Sequence, residues 1–265
     1  MAAGAGTAEP PDEDDAALVA RDLRKEFGEL AAVDGLSIDV PRGEFRSVIG
    51  PNGAGKTTFF NLVTGVMTPT GGAVYFDGEE VTGLPPHERV RRGMGRSFQL
   101  TTVFGGLTVR ENVRLAAQAA HDEGMSAVDW LVRSRNALPA VGRAADEALS
   151  RVGLADQADA RAAALAYGDR RRLEIGIVLA TDPAFVLLDE PTAGMSREET
   201  RETMRLVDEE LSDRTLLLIE HDIDLVMDVS DRITVLDRGR ELATGPPAAI
   251  ADDESVQAAY LGGER

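Results

Sequence analysis

Apolar residues alternate with polar ones at two places early in the chain, Ala17-Leu18-Val19-Ala20-Arg21-Asp22-Leu23 and Leu36-Ser37-Ile38-Asp39-Val40. A period of two predicts half-buried antiparallel strands, and the Pro41-Arg42-Gly43 turn after the second makes them an edge sheet. Phe45 to Ile49 then forms a short strand that runs into the glycine-rich Gly50-Pro51-Asn52-Gly53-Ala54-Gly55-Lys56-Thr57-Thr58, with a helix continuing over Phe59 to Gly65. From about Leu107 to Ala164 the spacing is helical, rich in Ala, Arg and Asp, with no strand until Ala184 to Leu188. Beyond it, the pattern predicts a helix from about Arg197 to Ser212, a strand at Thr215 to Glu220, a helix at Ile223 to Val229 and a hairpin at Arg232 to Ala243 turning at Arg238-Gly239. Strands separated by helices imply a mostly parallel sheet. The fold class is therefore α/β, with an antiparallel β edge subdomain and an α-helical subdomain inserted at about 100–180.

The chain has 265 residues, 43% of them hydrophobic, enough for one large domain with a sizeable core, placed here at 17–265. Residues 1–16 form a small, Pro-containing acidic tail that buries too little to order itself and lacks the basic and apolar regions of a signal peptide. The strongest apolar runs, Phe185-Val186-Leu187-Leu188 and Leu216-Leu217-Leu218-Ile219, are strand-sized, well short of the roughly 18 residues of a membrane span. A cytoplasmic location follows, with any membrane role supplied by a partner. The absence of cysteine excludes disulfides and thiolate chemistry. With 46 acidic and 28 basic residues the net charge is −18, and the only lysines are Lys25 and Lys56. Such a balance excludes a general nucleic-acid binder, which needs a basic face. It matches a surface adapted to a salt-rich cytoplasm, where screening blunts self-repulsion.

Candidate chemistry begins at Gly50 to Thr57, which fits G-x-x-x-x-G-K-[ST] at every fixed position. Glycines let consecutive backbone N–H groups turn inward around the phosphates of a nucleotide, and the following helix adds its positive end. This predicts a P-loop NTPase core in which Lys56 pairs with the β- and γ-phosphates and Thr57 holds Mg²⁺, with Asn52, Gly53, Ala54, Gly55 and Thr58 completing the cradle. The motif alone leaves kinases, GTPases and motor ATPases open. The run ending in Asp189-Glu190 supplies the second element. A buried parallel strand delivers Asp189 to the Mg²⁺ shell, and Glu190, one residue later, can act as general base on the attacking water.

With Leu165-Ala166-Tyr167-Gly168-Asp169-Arg170-Arg171-Arg172-Leu173-Glu174-Ile175 upstream of that strand, the sequence resembles the ATP-binding subunits of ABC transporters from about Ala17 to Gly263. The resemblance implies ATP and Mg²⁺ as ligands. It further implies that Phe27 stacks on adenine beside Val33, that Gln99 senses Mg²⁺ and water, and that His221 is the switch histidine on the γ-phosphate. Ala193-Gly194-Met195-Ser196 stands where the dimer-crossing loop lies. The signature segment departs from Leu-Ser-Gly-Gly-Gln: Ala166 takes the serine position, Tyr167 replaces a glycine and Asp169 takes the glutamine position. Tyr167, Gly168 and Asp169 are then expected at the ATP, with Gly168, nearby amides and the helix start forming the anion site.

That variant, together with Glu220-His221-Asp222 and the closing Ala259-Tyr260-Leu261-Gly262, looks like the ATPase subunits of branched-chain amino acid importers; urea, amide and lipopolysaccharide transporters have close relatives of this subunit. The resemblance implies a second ABC ATPase subunit, membrane permease subunits and, indirectly, an extracytoplasmic solute-binding protein as partners. Phe104 and Leu107 are candidates for a permease contact, with core packing as the alternative. A soluble, non-transport ABC ATPase and a P-loop small-molecule kinase are the rivals. The first usually carries tandem cassettes and basic surfaces, and the second lacks the signature segment and His221. Arg46, in the strand before the phosphate loop, stands where an apolar residue is expected.

Overall fold

The computed structural model describes residues 15–97, 103–121 and 139–261. The predicted tail lies outside them except for its last two residues, of which Ala16 already begins the first strand. Strands β1 (Ala16–Phe27) and β2 (Leu30–Pro41) are longer than their alternation suggested. Register shifts break their pairing, one of them at Asp22, a non-glycine residue in the left-handed region with φ 46°. Together with β4 (Gly71–Phe76) and β5 (Glu79–Glu80) they form a separate four-stranded antiparallel sheet, in the order β2-β1-β4-β5.

The second sheet has six strands. β3 (Phe45–Ile49), β6 (Met94–Ser97), β7 (Phe185–Asp189) and β8 (Thr215–Ile219) are joined by β9 (Arg232–Asp237) and β10 (Arg240–Gly245) in the order β10-β9-β3-β8-β7-β6. Every pairing is parallel except the β9–β10 hairpin. Parallel strands bury both faces, which explains the unbroken apolar runs. Phe185, Leu187, Leu217 and Ile219 pack toward the antiparallel sheet and helix α1 (Lys56–Val63), in one cluster with Leu18, Leu23, Val33 and Phe59. Val186, Leu188, Leu216 and Leu218 point the other way, into a cluster that continues through the inserted helices.

Those helices are α3 (Val109–His121), α4 (Pro139–Arg151) and α5 (Tyr167–Leu179); they pack on one another through Val113, Ala117, Ala145, Leu149 and Leu173. Ahead of them, α2 (Pro86–Arg91) carries Arg89, which is 1% exposed and donates to the carbonyls of Leu62 and Val63, closing the C-terminal end of α1. After β7 comes α6 (Arg197–Leu211), opened by a capping box in which Ser196 Oγ accepts from the Glu199 amide and the Glu199 carboxylate accepts from the Ser196 amide. Helix α7 (Ile223–Val229) starts from Asp222, whose carboxylate accepts from the Leu225 amide at 3.2 Å. Two short helices, α8 (Pro247–Ala251) and α9 (Glu254–Leu261), follow.

Arg46 acquires a physical account. It is 4% exposed and bridges three strands: Nε donates to Glu44 Oε1 (2.5 Å), Nη1 to Thr234 Oγ1 (2.9 Å) and Nη2 to the Asp39 carbonyl (3.1 Å). A buried cation with a carboxylate and two further oxygens is compensated where an isolated one would not be.

Candidate functional site

Because β3, β8, β7 and β6 run parallel, their C-terminal ends reach one edge of the sheet, where ligands of open α/β sheets bind. The phosphate loop leaves β3, Glu220 and His221 follow β8, Asp189 and Glu190 close β7, and β6 stops at Ser97. Gln99 itself lies outside the described residues.

Two loop glycines are required by close approach. A Cβ on Gly50 would lie 2.2 Å from the Leu236 carbonyl oxygen, and one on Gly55, at φ +99°, 2.3 Å from that of Ala32. Gly55 also precedes the first residue of α1, so the amides of Lys56, Thr57 and Thr58 open the helix. Asn52 and Gly53 are exposed on the loop, while Ala54 is buried and its amide donates to the Pro51 carbonyl at 3.1 Å. The Lys56 ammonium is folded back, donating to the carbonyls of Gly50 (2.5 Å) and Pro51 (3.1 Å). Burial lowers its pKa, and the charge of Glu190 partly offsets that effect.

Asp189 is 5% exposed, and its Oδ2 accepts from Arg96 Nη2 at 3.1 Å. Arg96 Nη1 also donates to Asn61 Oδ1 (3.1 Å) and Thr64 Oγ1 (3.0 Å), which ties α1 to the end of β7. Thr57 precedes Asn61 by four residues and so shares its face of α1. Among the described residues no three metal-binding side chains cluster. One hydroxyl and one carboxylate on linked elements are hard oxygen donors that suit Mg²⁺ when phosphate oxygens and water complete the shell. The donor set fits that ion.

Glu190 adopts the left-handed conformation with φ 45°, and its amide donates to the Ile219 carbonyl at 2.9 Å. This backbone re-aims the side chain just past the strand end. His221 is 66% exposed, with its amide on Glu220 Oε2 at 3.0 Å. Glu220 is 0% exposed and also receives the amide and hydroxyl of Thr192.

Phe27, at the end of β1, is 48% exposed, with the Lys25 ammonium 5.4 Å from its ring centre. Val33 does not join it. That valine, expected at the adenine surface, is instead 0% exposed and packs into the core with Leu23 and Leu36 beneath the antiparallel sheet. In the signature segment Tyr167 and Gly168 are exposed at the start of α5. Arg171 stacks over the Tyr167 ring at 5.7 Å, and Asp169 Oδ2 accepts from Gln157 Nε2 at 2.9 Å, directing that carboxylate back toward its own subdomain. Ala193 to Ser196 form the turn before α6, with Gly194 at φ +77°. Phe104 is 54% exposed, held by the buried Asn112, which accepts from its amide (2.8 Å) and donates to its carbonyl (3.2 Å). Core packing therefore does not explain Phe104. Leu107 is half-buried.

Sequence reasoning passed over Arg96, Thr192 and Glu220 as working residues. For Glu220 a signal was present, since a carboxylate directly follows four apolar strand residues.

Comparison with known proteins agrees with this geometry. A family model described as ABC transporter matches residues 33–193, and one described as branched-chain amino acid ATP-binding cassette transporter matches residues 240–265. The chain is 41% identical over 254 residues to the high-affinity branched-chain amino acid transport ATP-binding protein LivG of Salmonella typhimurium, covering 92% of this chain and 97% of that protein. It is similar to the ADP conformation of MJ1267, an ATP-binding cassette of an ABC transporter, with a TM-score of 0.79 and 30% identity over 93% of this chain and 99% of that one. A dimeric post-hydrolysis structure of the cassette MJ0796 bound to ADP and Pi matches with a TM-score of 0.69 and 25% identity, covering 87% of this chain and 98% of that one.

Proposed function

The chain belongs to the ATP-binding proteins of ABC transporters, which are ATPases, and from that premise we propose that it powers import of branched-chain amino acids through a membrane permease. The observation that carries the reading is convergence: the loop bearing Lys56, the Asp189-Glu190 pair and His221 all emerge at the edge where the parallel strands β3, β7 and β8 end, in a chain 41% identical to LivG.

In this reading the amides of Asn52 to Thr58 cradle the β- and γ-phosphates, and Lys56 exchanges its loop carbonyls for phosphate oxygens. Phe27 stacks on adenine. Thr57, Asp189 and Gln99 hold Mg²⁺, which when bound neutralises charge on the phosphates. Glu190 takes the proton of the attacking water, and His221 holds the γ-phosphate from the neighbouring strand end. The signature segment around Gly168 belongs to the opposite nucleotide of a two-fold dimer, where exposed amides at the start of α5 supply the anion site that Ala166 lacks as a side chain. The dimeric MJ0796 structure supports that pairing. Phe104, exposed on the inserted subdomain, suits a permease contact. The protein would act at the cytoplasmic face of the membrane with a solute-binding protein upstream; no helix among the described residues is long and apolar enough to cross a membrane.

The test is reconstitution of the chain with its permease and receptor in vesicles. The expected result is ATP hydrolysis stimulated by leucine, isoleucine or valine, and lost at least a hundredfold in Lys56→Ala and Glu190→Gln. Stimulation by urea, amides or another solute instead would replace the cargo assignment. Undiminished hydrolysis in both variants would remove the catalytic one.

A further inference from the structure

We propose that Glu220 is a positioning residue for hydrolysis: its buried carboxylate fixes the turn that carries Glu190 relative to His221. The inference rests on the roles given above to those two residues.

Glu220 directly follows β8 and is completely buried. Leu216 to Ile219 pack on both sheet faces, and an apolar fifth residue would continue that packing without the cost of burying a charge. The carboxylate is retained against that cost, and its two oxygens are divided. Oε1 accepts from the amide (3.1 Å) and the hydroxyl (2.5 Å) of Thr192, two residues after Glu190; Oε2 accepts from the His221 amide (3.0 Å). The same Oε2 lies 3.5 Å from His221 Nδ1, so the ring as well as the backbone of the histidine faces it. A carboxylate is a rigid planar fork, and one such group therefore sets the distance between the turn after β7 and the turn after β8. A second tie lies beside it, from the Glu190 amide to the Ile219 carbonyl. Together they hold Glu190 in its left-handed conformation, which an isolated turn would relax.

Three donors converge on two oxygens, which dictates what a substitution does. Glu220→Gln keeps the shape but places an NH₂ donor where an acceptor is needed, so the link to Thr192 or the link to His221 breaks. Thr192→Val removes only the hydroxyl link and leaves the carboxylate in place. Both residues lie outside the groups that touch nucleotide in the reading above.

The experiment measures kcat and KM for ATP on the purified full chain, with single-turnover rates for slow variants. It covers Glu220→Gln, Thr192→Val, His221→Ala, Glu190→Gln, Glu220→Gln/His221→Ala and Glu220→Gln/Thr192→Val, with thermal unfolding of each. The expected result is a fall in kcat of at least tenfold for Glu220→Gln and at least threefold for Thr192→Val, with KM changed less than twofold. Added to His221→Ala, Glu220→Gln should cost less than a further twofold, and Thr192→Val should add equally little to Glu220→Gln. Folded Glu220→Gln protein with wild-type kcat overturns the proposal, as does a loss appearing mainly in KM or multiplying in full onto His221→Ala. Should Glu220→Gln fail to fold, Thr192→Val decides alone, and wild-type kcat there overturns it. Wild-type hydrolysis in His221→Ala and Glu190→Gln strikes instead at the functional reading beneath, a result distinguishable from failure at Glu220.

Discussion

Arg89 illustrates how far a single side chain depends on its surroundings. It donates Nε to the Leu84 carbonyl (3.1 Å), Nη1 to the Leu62 (2.9 Å) and Val63 carbonyls, and Nη2 to that of Thr82 (3.0 Å); burial brings its pKa down to about 10. Removing it takes a donor from four carbonyls, two of them buried at the negative end of α1, where that of Leu62 keeps the Gly65 amide. Arg89→Met should lower the unfolding free energy by about 3 kcal/mol, measured by urea denaturation. Nucleotide affinity of the folded fraction should stay unchanged, because the proposed phosphate site lies at the other end of α1. At this scale the sequence was partly legible. The phosphate loop, Asp189, Glu190 and His221 sit at one sheet edge because their spacing from apolar strands fixes where they emerge. Arg46, Arg96 and Glu220 were harder to read, because each depends on a partner distant in sequence: Thr234 for Arg46, Asn61, Thr64 and Asp189 for Arg96, and Thr192 for Glu220. Val33 was not legible either: alternation identifies two faces, and only the packing of the sheet on the core tells which one is inside.

Among elements, continuous apolar runs and long periods gave the correct result, and strands broken by glycine or charge did not. Strand β3 and helix α7 fall where their patterns put them, and β7 and β8 within a residue of it. Strand β4 opens with two glycines and β6 is only Met94-Gly95-Arg96-Ser97, so neither carries enough alternation to be seen in advance. The C-terminal helix α9 was known only by its Ala-Tyr-Leu ending. Tyr260 there packs on the core, its pKa pushed up to about 12 by burial despite the Gly50 amide at its hydroxyl. Below pH 10 folded and unfolded chains both keep that proton. Between about pH 10 and 12 only the unfolded chain releases it, so the phenol favours unfolding increasingly across that window. The stability of the wild type relative to Tyr260→Phe should therefore fall as pH rises from 10 to 12, read from paired denaturation curves. A constant difference would place the phenol in water, and a rising one would mean that the folded chain favours the phenolate.

Over the whole molecule the net charge of −18 outweighs the visible ion pairs. Pairs such as Arg151–Glu210 (2.7 Å) and Arg172–Glu202 (3.2 Å) join the inserted subdomain to α6, but half-exposed bridges contribute only about 0–1 kcal/mol each. Raising KCl from 0.1 to 1 M shortens the Debye length from about 10 to 3 Å and suppresses long-range repulsion. The melting temperature should rise with KCl over that range; a fall would mean that bridges dominate.

In the proposed dimer, ATP is held between two copies of the nucleotide-binding edge, Lys56 from one protomer opposite Gly168 of its partner. The most direct test is the molar mass of purified Glu190→Gln protein by light scattering, with and without ATP and Mg²⁺. The protein should be a monomer without nucleotide and a dimer with it; a monomer under every condition would rule out the shared site.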